Sequence, residues 1–425
     1  MGRSPPTLTG EARMRLAVYT DYVYRRVGGV TYAERAFALF LAALAPRVER
    51  LRLVGRLAQE GGVTRYQLPA GIELAPLPHY ASLADPVAAL RSLVRSLGHM
   101  NRALNDVDVI WILGPYPHAV VLALLACVRR RSVVLGVRQD WPAYVRMRRP
   151  GKRWMHVSAD VLEWIWRRLA RRLPVVAVGP DLAAQYAHAP AVLDLIVSLV
   201  PATAVGSSAA PGDYSRELRV LSVGRLDEEK NPLLLAEVLA LLHRQSPHWR
   251  LLVCGEGTLA GALSARLAEL GLADRAELLG YVAMGDELLR LYRSCHALLH
   301  VSWTEGFPQV LIEAFATGLP VVATAVGGVA AAAGDAAVLI PAGAPEAAAD
   351  ALLRVAGDPD LRARLTTAGL ERARELTLEA QTARLARFLE QARPRRQGEP
   401  HGRSARTPSG PSHPLDADRS AVQGP

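Results

Sequence analysis

Short apolar runs and amphipathic stretches take turns along most of this chain. Residues 16–20, 50–54, 66–68, 72–77, 107–113, 133–137 and 175–178 are mostly apolar, and all but 133–137 are closed off directly by Gly, Pro or Asp, which predicts buried strands. Residues 31–45, 87–105 and 154–173 carry apolar positions at helical spacing. From residue 218 the alternation restarts. Strand-like runs occur at 218–223, 249–254, 276–279, 298–301 and 321–323, and helical stretches at 286–295, 345–355, 361–376 and 379–392. Strands alternating with helices predict parallel sheets and an α/β fold. Two such series predict two Rossmann-like domains.

The series are separated by residues 202–216, rich in Ala, Ser, Gly and Pro, which predicts a linker. The expected organisation is therefore an N-terminal extension at 1–13, a first domain at 14–201, the linker, a second domain at 217–376 and a closing helix at 377–392. A Pro-, Gly-, Ser- and Arg-rich tail at 393–425 is expected to be disordered. The length of 425 residues agrees, since one hydrophobic core seldom serves so long a chain.

The chemistry concentrates at residues 298–324. A strand-like run ends before Glu305-Gly306-Phe307-Pro308, a helical stretch follows from Gln309, and Gly318 with Pro320 stops it before the next strand. A loop at the C-terminal end of a strand is where open α/β sheets bind ligands. Free N–H groups near Val310 and Leu311 at the helix start suit a phosphate, though the helix dipole contributes only about 0.3–1 kcal/mol. Cationic side chains must add to it. Two carboxylates, Glu305 and Glu313, would repel a phosphate unless they face hydroxyls, and a ligand with both groups is a nucleotide-sugar.

Glu305-Gly306-Phe307-Pro308, Glu313-Ala314, Gly318 to Thr324 and Gly327-Gly328 resemble the E-x7-E signature of the family 4 retaining glycosyltransferases, within glycosyl transferases group 1. The resemblance implies the GT-B fold, two Rossmann-like domains facing a cleft, with the last helix crossing back to the first domain. It implies that Arg225 and Lys230, after the strand at 218–223, grip the donor diphosphate. Glu313 would hold the ribose and Glu305 the donor sugar. Gly306, Phe307, Val310, Leu311, Gly255 and Tyr281 would line the donor site, the last by backbone near the base. Gly28-Gly29 would line the cleft near sugar and acceptor, or simply form the turn into a helix.

The first half matches more loosely. Where many relatives carry a histidine near the reacting centre, Arg138, Gln139 and Asp140 stand here. Asp140 is a candidate to orient or deprotonate an acceptor hydroxyl, and Arg138 to hold an acidic acceptor group; an internal salt bridge is the other reading of both. After Gly327-Gly328-Val329 the family's Pro-Glu is replaced by Ala330-Ala331, which implies altered packing or donor preference.

The function implied is a retaining, metal-independent glycosyltransferase moving sugar from a UDP- or GDP-sugar to a lipid-linked, polysaccharide or small-molecule acceptor, with no cofactor. A catalytically degenerate nucleotide-sugar-binding partner and an epimerase of the same fold are the alternatives. Asp106-Val107-Asp108 precedes a strand, away from any α/β site, and reads as a chance D-x-D.

Charge and cysteine content narrow the setting. Three cysteines without metal-ligand spacing predict a reducing, cytoplasmic compartment. A net charge of +10 without nucleic-acid-binding motifs argues against nucleic acid as partner. The cluster Arg146, Arg148, Arg149, Lys152 and Arg153 is either a solvated face or a peripheral contact with an anionic membrane on its inner side.

Overall fold

The computed structural model describes residues 14–58, 64–206 and 213–393. The expected N-terminal extension, part of the linker and the tail beyond Arg393 lie outside the described residues.

β1 (Arg15–Val27) turns at Gly28-Gly29 into β2 (Val30–Ala33) and leads to α1 (Phe37–Leu44). β3 (Arg50–Ala58), β4 (Tyr66–Gln67), β5 (Ile72–Pro78), α2 (Pro86–Ala103), β6 (Val109–Gly114) and α3 (Pro117–Val128) follow. β7 (Ser132–Val137), α4 (Trp141–Arg148), α5 (Arg153–Ala170), β8 (Val175–Val178), α6 (Pro180–Gln185) and β9 (Val192–Leu195) complete the first sheet and its helices. Its parallel part runs β5-β3-β1-β6-β7-β8-β9, with β2 and β4 antiparallel on the far end of β1. β6 is buried at every position, as a central strand covered on both faces must be.

The second series is β10 (Leu218–Val223), α7 (Leu234–Gln245), β11 (Trp249–Cys254), α8 (Ala260–Glu269), β12 (Ala276–Gly280), α9 (Asp286–Arg293) and β13 (Ala297–His300). It continues with α10 (Gln309–Ala316), β14 (Val321–Thr324), α11 (Val329–Ala333), β15 (Ala337–Ile340), α12 (Pro345–Gly357) and α13 (Pro359–Glu375). This sheet is fully parallel, in the order β12-β11-β10-β13-β14-β15. The order reverses between β10 and β13, and the carboxyl ends there are the doubly wound fold's place for a ligand.

α14 (Leu378–Gln391) then returns to the first sheet's core, where Leu385 and Leu389 are fully buried. Thr377 caps it by accepting from Ala380 N, and Arg47 donates to Thr382 Oγ1 at 3.1 Å from the first series.

Two predicted features change. The helix expected over 31–45 starts only at Phe37, because residues 30–33 pair as β2 against the end of β1. A short helix, α4, occupies residues expected as loop, started by Asp140 and Pro142. The D-x-D match has a structural explanation: Asp108 receives the Arg15 guanidinium at 2.8 Å at the start of β6.

Candidate active site

β13 ends at His300, and the chain crosses a loop before α10. Thr324 Oγ1 donates to Ser302 O at 2.8 Å and Trp303 N to Glu229 O at 2.9 Å, tying the loop to β14 and to the loop after β10. Within it, Glu305 Oε1 accepts from Ser302 Oγ at 2.9 Å and from Lys230 Nζ. His300 Nε2 stands 3.0 Å away, close but not aligned as a hydrogen bond. Burial alone would raise the Glu305 pKa, but His300 and Lys230 outweigh it and hold the carboxyl at about 2. Glu305 is a fixed negative charge.

Arg225 lies on the loop after β10. Its guanidinium donates to Asp227 Oδ2 at 2.6 Å and to Glu229. Arg148 of α4 reaches the same Asp227 oxygen at 3.1 Å, joining the two halves. The loop is pinned from behind, since Leu226 N donates to Glu256 O at 2.9 Å and Leu259 N to Leu226 O at 2.8 Å. Three cations, Arg225, Lys230 and Arg148, thus stand against three carboxylates, Asp227, Glu229 and Glu305.

Glu313 lies on α10, buried, and accepts from Tyr292 Oη at 2.7 Å. Burial raises its pKa, against the lowering effect of that hydrogen bond. At the N-terminus of α10, Leu311 N makes only a 3.3 Å turn bond to Pro308 O.

The opposite wall belongs to the first sheet. Gln139, Asp140 and Tyr144 share a cavity of about 440 Å³ with Arg225, Lys230 and Glu305. An adjoining cavity of about 510 Å³ is lined by Asp21, Arg35, Arg56, Arg138 and Trp141, among others. Asp140 Oδ1 accepts from Ala143 N at 3.0 Å and caps α4. The Arg138 guanidinium sits 5.0 Å from the Phe37 ring and 5.2 Å from the Tyr22 ring, with no carboxylate partner among the described residues. Desolvation lowers its pKa to about 10, which leaves it charged at neutral pH.

Residues 207–372 match the family described as Glycosyl transferases group 1. The second domain belongs to that family. The chain is 33% identical over 181 residues to D-inositol 3-phosphate glycosyltransferase of Corynebacterium glutamicum, a stretch covering 41% of this chain and 43% of that protein. It spans less than half the length of the curated relatives it matches. In fold it is similar to sucrose-phosphate synthase of Thermosynechococcus elongatus, with TM-score 0.70 and 17% identity over 89% of this chain and 99% of that one. It is also similar to HepE of Anabaena in complex with UDP and glucose, with TM-score 0.66 and 18% identity over 89% and 99% of the two chains. Such likeness shows the fold. It is GT-B.

Within this group 1 frame, the structure brings Arg225, Lys230, Glu305, Gly306 and Asp140 to one cavity and Arg138 to its neighbour. Phe307 packs nearby, 3.9 Å from where a side chain at Gly179 would begin. Gly28 and Gly29 correct the expectation of a turn into a helix. With φ of 57° and 82° they form the exposed turn of the β1–β2 hairpin, a role that needs positive φ at both positions. They open no helix, and the cavity wall there is built from Asp21 to Val23 and Glu34 to Phe37. Gly255, expected beside the nucleotide, faces the Arg225 loop; a Cβ there would lie 1.8 Å from Gly224 O. The Tyr281 hydroxyl meets Tyr66 Oη at 2.5 Å and its ring lies 3.6 Å under Arg65, so this side chain bridges to the first series.

Several residues escaped the sequence reading. Asp227 and Glu229 hold Arg225, His300 and Ser302 attend Glu305, and Tyr292 attends Glu313. Asp21 is half-buried at the cavity wall and accepts from Tyr80 Oη at 2.5 Å and Tyr19 Oη at 3.2 Å. Burial raises its pKa. The acid-rich sequence around Arg225 was the available signal for Asp227 and Glu229; nothing local marks Asp21.

Proposed function

We propose that this chain is a retaining glycosyltransferase of family 4 type that uses a UDP- or GDP-sugar. The observation that carries the reading is the single cavity shared by Arg225, Lys230 and Glu305 on one wall and Asp140 on the other. The donor diphosphate lies between Arg225, Lys230 and the N-terminus of α10, with the ribose on Glu313 and the sugar on Glu305. When the bond from the sugar's C1 to the diphosphate oxygen breaks, negative charge grows on the leaving oxygen beside Lys230 and Arg225 and positive charge on the ring beside Glu305. The acceptor oxygen bonds C1 from the face the diphosphate leaves, so no enzyme nucleophile is needed. The acceptor's proton passes to Asp140 or to the departing phosphate.

Charge bookkeeping bears on the metal question. The paired side chains around Arg225 sum to zero, so a bound diphosphate draws its excess positive charge from Arg138 and Arg35 in the adjoining cavity as well as from the helix end. These fixed cations do the work a divalent ion does in other transferases.

The test is titration with UDP, GDP, ADP and dTDP in EDTA, followed by slow hydrolysis of the matching donor. One nucleotide should bind without metal. Glu313→Gln should weaken it about tenfold, because a charge-assisted bond to the ribose is lost, while Gln still accepts from Tyr292. Ribose hydroxyls favour the carboxylate, whereas burial in the empty site favours the neutral acid. Binding should therefore release protons and weaken as pH falls, and this dependence should vanish in the variant. Unchanged affinity in Glu313→Gln refutes the ribose assignment. Binding without hydrolysis or transfer would favour a degenerate binding partner.

Asp140→Asn isolates the acceptor step. Asn caps helices as well as Asp does, so the melting temperature should hold. Transfer should fall by about 10²-fold with nucleotide affinity intact. A variant that transfers at the parent's rate leaves Asp140 as a cap and nothing more.

A further inference from the structure

Two helices of the first domain carry apolar stripes that stand exposed among the described residues. On α2, Val87, Leu90, Val94 and Leu97 are 45–62% exposed and recur at helical spacing. On α5, Trp154, Val157, Val161 and Trp164 repeat the same spacing and are 44–67% exposed. Both helices also bury an opposite face, with Ala89 and Met100 on α2 and Trp166 and Ala170 on α5. The outer stripes are therefore extra apolar surface, beyond what docking these helices requires.

The two stripes meet. Leu90 and Trp154 both line an apolar slot of about 220 Å³ between the helices, together with Leu93, Val145 and Leu162. Trp141 is part of this slot and also of the cavity beside Arg138. A contiguous exposed apolar patch of this kind marks a docking surface rather than ordinary solvent exposure.

Charge says what docks there. Arg91 and Arg95 stand exposed on α2, and Arg149, Lys152 and Arg153 at the start of α5, none with an acidic partner among the described residues. Arg146 and Arg167 on the same side are matched by Asp160 and Glu163. Apolar stripes with two indole rings, flanked by unpaired cations, fit the boundary between headgroups and hydrocarbon of an anionic bilayer. Among the described residues no helix is long and apolar enough to cross it. The geometry points to α2 and α5 as a docking face for an anionic lipid surface, with one lipid chain entering the slot between them. The face needs no nucleotide and stands apart from the transferase reading; only the placing of the slot beside the acceptor cavity draws on it.

The experiment is flotation of the full chain with phosphatidylcholine vesicles and with vesicles containing phosphatidylglycerol, at low and high salt. The parent should float with the anionic vesicles and at least tenfold less with the neutral ones, and raised salt should weaken the binding. Trp154→Gln with Trp164→Gln changes two exposed positions and should cut flotation at least tenfold with melting temperature and nucleotide affinity intact. Lys152→Glu with Arg153→Glu should do the same. Brominated acyl chains should quench the parent's tryptophan fluorescence if a chain enters the slot. No flotation, equal flotation by both variants, or self-association that the Trp pair abolishes without vesicle binding each overturns the proposal, the last by making a second copy the occupant. Failure here would leave the nucleotide titration untouched, so the two readings fail separately.

Discussion

Replacing Glu305 by glutamine should slow donor turnover by about 10²–10³-fold while nucleotide affinity holds or improves. The side chain is 9% exposed and its carboxylate stands among Lys230, His300 and Ser302. Gln keeps the size and still accepts from Ser302, but it removes the charge that would face the developing positive sugar ring. Lys230, freed of its counter-ion, would then be more available to the diphosphate. The expected signature is a fall in kcat without a rise in the nucleotide dissociation constant. A stability effect should accompany it. The folded pKa of about 2 lies below the usual carboxylate value, so the ionised group contributes stability that is present at neutral pH and is lost as pH falls toward 2. The contribution is on the order of 2–3 kcal/mol. In urea unfolding, parent and variant should differ at pH 7 and converge as the pH drops below about 4. Donor hydrolysis at the parent's rate would remove Glu305 from the chemistry, whatever the unfolding curves show.

The unit around Glu305 was readable because its signals are local. An apolar run, a Gly-Pro break, helical spacing and a Gly-x-Pro stop fall in order and become β13, its loop, α10 and β14. Arg225 and Lys230 follow a strand in the same way. The hairpin at Gly28-Gly29 was readable too, since alternating residues flank a glycine pair, the pattern of a two-residue turn. Helical spacing further on masked it. In the same way Asp140 followed by Trp141 and Pro142 is a helix start, overshadowed by the interest of Asp140 as a base.

What stayed hidden depends on residues distant in sequence. Asp21 gains its enclosed place from Arg56 on β3 and Tyr80 in the segment after β5. The bridge from the Tyr281 hydroxyl could not be read locally either, because its partner Tyr66 lies in the other half of the chain. The pairing of Arg225 with Asp227 and Glu229 is local, yet its consequence is not. The resemblance implies two cations for a diphosphate, whereas the fold delivers them already matched by carboxylates, and Arg138 and Arg35 across the cleft have no carboxylate partner among the described residues.

A second large effect should come from Gly327→Ala, a change of one methyl group. Gly327 sits at φ 49°, and a Cβ there would lie 1.9 Å from Glu305 O. The left-handed backbone costs a residue with a side chain about 1–2 kcal/mol, and forcing the loops apart adds about 1–3 kcal/mol. Stability in urea should fall by about 3 kcal/mol from the two together. The loop that yields is the one carrying Glu305, Gly306 and Phe307, and a displacement of about 1 Å costs an active site on the order of 10²-fold in rate. Gly306→Ala is the internal comparison, because a Cβ there meets nothing within 4 Å. Its stability should stay within about 0.5 kcal/mol of the parent. Losses of stability and turnover together in Gly327→Ala, with parental stability in Gly306→Ala, would locate the cost at the contact between the two loops. Parental values in both would mean that the loop after β14 does not position Glu305, and the carboxylate's place would then rest on Lys230, Ser302 and His300 alone.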